Sequence, residues 1–138
     1  MPTSADLLLD TSAAIALVTP TVERHAAVIE RTRGATLGLT GHAVFETYSV
    51  LTRLPGALRL NAAGARSVIA ANFPASVFLT PKQSAHALTA LADVGIAGGS
   101  VYDGLVALAA AYASITLLSC DRRALPTYAM LSVRAEML

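Results

Sequence analysis

Apolar residues follow two rhythms along this chain. Short unbroken runs at Leu7 to Leu9, Thr36 to Leu39, Ser76 to Leu79 and Ile115 to Leu118 predict buried strands, with a last strand near Met130 to Val133. Between them, apolar positions recur at helical spacing over residues 12–18, 21–33, 42–54, 61–72, 82–94 and 102–113. Asn61 and Pro81 suit helix starts, and Pro55-Gly56 and Gly98-Gly99 interrupt the pattern. Val44, Tyr48, Leu51 and Leu54 share one helical stripe and read as core. Strands alternating with helices predict an α/β fold: one domain over residues 1–138, with a parallel sheet of about five strands flanked by helices on both faces. The carboxyl ends of such strands share one edge, and ligands bind there.

The strand LLL ends in a charge, Asp10, followed by Thr-Ser. Asp121 follows the strand ITLLS, so a parallel sheet puts it at the same edge as Asp10. Asp103 opens the helix that feeds ITLL, and Glu46 lies about one turn into the helix leaving TLGL, so both also belong to that edge. Each acid has an ordinary structural role open to it. Asp10 suits a helix cap, Asp103 completes a Ser100-x-x-Asp103 capping box, Asp121 suits a turn, and Glu46 suits a solvated stripe with His42, Ser49 and Arg53. Independent caps, however, need not share an edge. Carboxylates crowded together repel, and an all-oxygen set suits a hard divalent ion, Mg²⁺ or Mn²⁺. Such an ion polarises a phosphodiester and lets an acidic pocket accept a polyanion.

Composition narrows the field further. Apolar residues make up 54% and charged residues 14%, which argues against disorder. The net charge of +1 does not announce a nucleic-acid partner, but nine of the ten basic residues are arginines, which suit phosphate contact. Arg53, Arg122 and Arg123 are the candidates for holding the phosphates of a polyanion, whereas Arg24, Arg31 and Arg33 fit a polyanion, a partner or solubility equally. The single cysteine, Cys120, fits a reducing cytoplasm and reads as a small packed side chain. His42 reads as a polar helix-face residue, although one turn from Glu46 it is also placed for a general base. The start MPTSAD lacks the pattern of a signal peptide. The uncharged run Gly104 to Cys120 divides into an alanine-rich helix and a β-branched strand, so no membrane span is expected.

The stretches LLLDTSAAIAL, FETYSVLTRL, VYDGLVALAA and LLSCDRRAL, in this order and spacing, resemble the PIN-domain ribonucleases, and among them the VapC-type toxins of bacterial toxin–antitoxin pairs. The resemblance covers essentially the whole chain. It implies a metal-dependent endoribonuclease in which Asp10, Glu46, Asp103 and Asp121 hold Mg²⁺ or Mn²⁺, with Ser12 and Ser119 as supporting hydroxyls. Ser119 stands where threonine is more usual, and Arg122-Arg123 stand where some relatives carry a further acid, which leaves the number of metals open. The resemblance also implies a homodimer, a cognate antitoxin that sends a basic side chain into the acidic pocket, and transfer, ribosomal or messenger RNA as substrate.

Three other functions compete. An aspartyl phosphatase wants a second acid at position 12, which is Ser12. A receiver domain wants an acid ending a central strand, where SVFL instead runs into Thr80-Pro81. A catalytically inactive PIN-like module binding protein or RNA is the remaining alternative, and the presence of all four acids favours activity over it.

Overall fold

A computed structural model describes residues 4–138, so the reading of the first residues of MPTSAD lies partly outside the described residues. The chain runs β1 (Leu7–Leu9), α1 (Thr11–Val18), α2 (His25–Thr32), β2 (Leu37–Leu39), α3 (Gly41–Leu51), α4 (Ala62–Asn72), α5 (Pro81–Asp93), α6 (Ser100–Ala113), β3 (Leu117–Ser119), α7 (Leu125–Met130) and β4 (Ala135–Met137). All pairings are parallel, in the order β2-β1-β3-β4. Leu8, Leu9, Leu39, Leu117 and Leu118 are fully buried, as strands covered on both faces require. Each such leucine stabilises the fold by about 1.5–3 kcal/mol relative to exposure.

The helix starts obey local chemistry. Asn61 caps α4 through the Gly64 amide, and Thr80 with Gln83 closes a capping box around Pro81 at the head of α5. α6 buries Val106, Ala107, Leu108, Ala109 and Ala110, then stops at Ser114, which takes a left-handed conformation (φ 57°) and turns the chain into β3. The run from Gly104 to Cys120 is thus a helix and a strand, and among the described residues no helix is long and apolar enough to cross a membrane.

Several expectations need correction. The fifth strand, at Ser76 to Leu79, is an extended edge segment that meets β2 through a single bridge, Thr40 to Val77. It lies against β2 because Gly38 has no side chain; a Cβ there would collide with the Ala75 carbonyl. The last strand lies at Ala135–Met137 instead of near 130–133, because the short helix α7 and a left-handed turn at Ser132 occupy that stretch. α3 ends at Leu51, so Arg53 sits in the following turn and not on the Glu46 stripe. Leu51 is core, but Tyr48 is exposed and lines a hollow of ≈ 580 Å³ between α3 and α4 with Phe45, Ala62 and Ile69.

Candidate active site

β1 delivers Asp10 to the carboxyl edge of the sheet, where the Asp10 amide donates to the Leu118 carbonyl of β3 at 3.1 Å. The residue is 4% exposed, yet both carboxylate oxygens are satisfied. Oδ1 accepts from the Ala13 amide at 3.0 Å and from the Ser12 hydroxyl at 2.6 Å. Oδ2 accepts from the Tyr128 phenol at 2.7 Å, across 118 residues of sequence. Burial, reinforced by the Asp10 charge, pushes the Tyr128 phenol far above its ordinary value, so it stays protonated as a donor. Tyr128 is a site residue that sequence reasoning missed; nothing in LPTYAM points at Asp10 until α7 is placed.

Ser12 and Ser119 lie beside Asp10 and Asp121, respectively. Ser12 Oγ, besides donating to Asp10, accepts from the Cys120 amide at 2.8 Å and lies 3.4 Å from Ser119 Oγ. Ser119, fully buried, accepts from the Asp121 amide at 3.0 Å. Two serines therefore tie the chain leaving β3 to the head of α1, and so relate Asp121 to Asp10. Burial raises the Cys120 thiol, the Asp10 charge adds to this, and neither favours a thiolate nucleophile.

Glu46 is held on the other flank. Its Oε2 accepts from Thr11 Oγ1 at 3.0 Å, and its Oε1 lies 2.8 Å from His42 Nε2, one helical turn away. The His42 ring stacks on Tyr102 at a centroid distance of 4.8 Å and 21° between planes. Tyr102 immediately precedes Asp103 in the first turn of α6. The anticipated Ser100–Asp103 capping box does not form: the cap position is Gly99, without a side-chain bond. Asp10 and Asp121 do serve as caps, Asp121 accepting from the Arg123 amide at 3.0 Å. The capping role thus accounts for two acids and leaves Asp103 and Glu46 unexplained.

The charges of the other three acids all reach Asp103. The Asp103 carboxyl is raised above its ordinary value first by burial, then by the charges of Asp121, Glu46 and Asp10, with Arg123 opposing. Among the described residues, no three acidic, histidine or cysteine side chains stand close enough to grip an ion as they are placed. The donor set nevertheless fits a hard divalent cation: four carboxylates, no thiolate, and a field that penalises negative charge at its centre.

Beside the acids, Arg24, Arg122 and Arg123 line a hollow of ≈ 550 Å³ shared with Ser12, Asp121 and Leu138. Arg123 is 94% exposed and its contact with Asp121 is long, 3.4 Å, so the pair holds little. Arg31 is bidentate to Glu136 and Arg33 pairs with Glu30, which leaves Arg24 as the outer-helix arginine at the site. Arg53 does not line this hollow. The backbone amide of Leu138 donates to the Ser119 carbonyl at 2.9 Å, closing the hollow's rim.

Comparison with known proteins agrees with this construction. The PIN domain model matches residues 7–129. Ribonuclease VapC27 of Mycobacterium tuberculosis is 44% identical over 127 residues, covering 92% of this chain and 93% of the relative. Among solved structures, M. tuberculosis VapC20, described as a sarcin–ricin loop cleaving toxin, superposes with a TM-score of 0.63 at 17% identity, covering 83% of this chain and 89% of that one. VapBC2 from Rickettsia felis, bound to a DNA fragment from its promoter, gives 0.65 at 13% identity over 96% and 98%. At these identities the two structures speak for the fold, while the family model and the 44% relative decide the lineage: this chain belongs to the PIN-domain family, in its VapC branch.

Proposed function

We propose that this protein is a divalent-metal-dependent endoribonuclease and the toxin of a toxin–antitoxin pair. The observation that carries the reading is the convergence of Asp10, Glu46, Asp103 and Asp121 on one sheet edge, felt at Asp103 as a raised carboxyl. The ribonuclease VapC27, 44% identical along nearly the full chain, supports ribonuclease activity. Asp10, Glu46, Asp103 and Asp121 are the residues that would hold Mg²⁺ or Mn²⁺. A divalent ion held there would supply Lewis-acid chemistry to a phosphodiester.

The chain's own groups do the rest. Tyr128, Ser12 and the Ala13 amide fix the Asp10 carboxylate in one orientation, so that no reorganisation is needed when substrate arrives. Ser12 and Ser119 set the spacing between the ends of β1 and β3. Arg24, Arg122 and Arg123 take flanking phosphates. The VapBC2 neighbour supports an antitoxin as partner, and the exposed apolar hollow at Phe45 and Tyr48 supports a protein-covered surface, whether by antitoxin or by a second copy in a homodimer. RNA as substrate supports a cytoplasmic location, and the free Cys120 is compatible with a reducing compartment.

The test is incubation of purified protein with total bacterial RNA and Mg²⁺, mapping new 5′ ends by sequencing, with Asp10→Asn prepared identically. Discrete ends made by the parent alone are expected, on transfer, ribosomal or messenger RNA. Identical ends from both proteins, or none with Mg²⁺ and Mn²⁺, would overturn the reading in favour of an inactive binding module.

A further inference from the structure

The two flanks of the acid row differ in chemistry. On one side lie the guanidinium groups of Arg24, Arg122 and Arg123; on the other lies the stacked pair Tyr102 and His42. Tyr102 is 51% exposed although one of its faces is already covered by His42, which leaves its other face and edge open. Like Tyr112 at the far end of α6, Tyr102 lies outside the buried stretch from Val106 to Ala110, and of the two it is Tyr102 that adjoins the acids. The stacked pair is no bystander. His42 bonds Glu46, Glu46 bonds Thr11 beside Asp10, and Tyr102 adjoins Asp103. The ring stands where two of the four acids enter the site.

We propose that the Tyr102–His42 stack is a seat for one unpaired nucleobase of an RNA strand that crosses the acid row toward the arginine hollow. The proposal deepens the ribonuclease reading and rests on it for the identity of the strand. Every base offers a π-face, and aromatic side chains stack on unpaired bases without needing their sequence. The arginine flank points to a polyanion as the ligand that spans both sides of the acid row. Stacking also needs the base out of a duplex, so the seat favours loops and single strands over paired RNA. His42 backs the platform and is itself fixed by Glu46, which couples the seated base to a site carboxylate.

The chain has no tryptophan, so Tyr102→Trp creates a lone fluorescent reporter at the seat. In an Asp10→Asn background, which keeps strands intact, it is titrated with a decameric oligoadenylate and with an abasic decamer bearing the same phosphates. Quenching by oligoadenylate, with little by the abasic strand, is the expected result. Tyr102→Ala in the same background should weaken oligoadenylate binding about tenfold, leave abasic binding unchanged, and be rescued by Tyr102→Phe. Equal quenching by both strands, or an alanine variant that binds oligoadenylate normally, would overturn the seat. Quenching by an oligo-arginine peptide in place of oligoadenylate would overturn it too and assign the platform to a protein ligand. RNA cleavage by the parent is scored separately: cleavage without base-dependent quenching removes the seat alone, and base-dependent quenching without cleavage retains the seat and removes the nuclease.

Discussion

Asp10 and Glu46 face the same site but are built in opposite ways. Asp10 is buried and enclosed by uncharged donors from α1 and α7, so its orientation is settled before anything binds. Glu46 keeps 42% of its side chain exposed and leans on Thr11 and on a histidine that is itself stacked on a half-exposed tyrosine. One carboxylate is part of the core, and the other belongs to the surface. The contrast is between a firm floor at Asp10 and a more exposed rim at Glu46. Uncharged donors suit the floor, because they orient a carboxylate without neutralising the charge that a cation needs.

The largest effect should come from the floor. Asp10→Asn keeps a side-chain oxygen for the Ala13 amide and an amide group for Tyr128, so circular dichroism should be unchanged. RNA cleavage, however, should fall by more than the ~10–100-fold typical of losing a partner behind a metal ligand. Next, Tyr128→Phe should fall within that ~10–100-fold range and cost about 1–3 kcal/mol in urea unfolding, because a buried carboxylate oxygen loses its donor. Unaltered stability in that variant would break the distinction between floor and rim.

Asp103→Asn probes the shared field. A carboxyl raised above its ordinary 3.8 binds protons more readily folded than unfolded, so it lowers stability progressively as pH rises from 3.8 through the folded value. Above that value the penalty stays; below 3.8 it vanishes. In EDTA the variant should therefore be the more stable protein at pH 7, with the difference gone in acid, while calorimetry shows weaker Mn²⁺ binding. Unchanged Mn²⁺ binding would take Asp103 out of the metal set. The smallest effect belongs to the outer rim. Arg122→Ala should reduce the salt dependence of single-stranded RNA binding by about 0.7 in log–log slope, and Arg53→Ala should leave it unaltered.

Much of this floor was legible in the sequence, and much of the rim was not. Asp10, Asp121 and Asp103 follow from topology alone, because a charge next to an apolar strand and a helix feeding the next strand fix their edge. Ser12 and Ser119 share that register. Tyr128 was hidden because α7 is one short helix with Pro126 in its first turn, too brief for periodicity to reveal, and the apolar residues around Met130 read as a strand. Tyr48 read as core because spacing reports that residues share a face but not whether that face is covered; here α3 and α4 leave it open. The His42–Glu46 spacing was visible, yet Tyr102, which gives the pair its meaning, lies on another helix.

The bond from the Leu138 amide to the Ser119 carbonyl has a practical side. It moors residue 138 at the mouth of the arginine hollow, which Asp121 also lines, so any sequence appended after it emerges there. A polyhistidine tag so placed would bring its own metal affinity to the site and compete in every titration of Mn²⁺ or RNA. Attachment ahead of β1, at the opposite edge of the sheet, keeps purification and measurement apart.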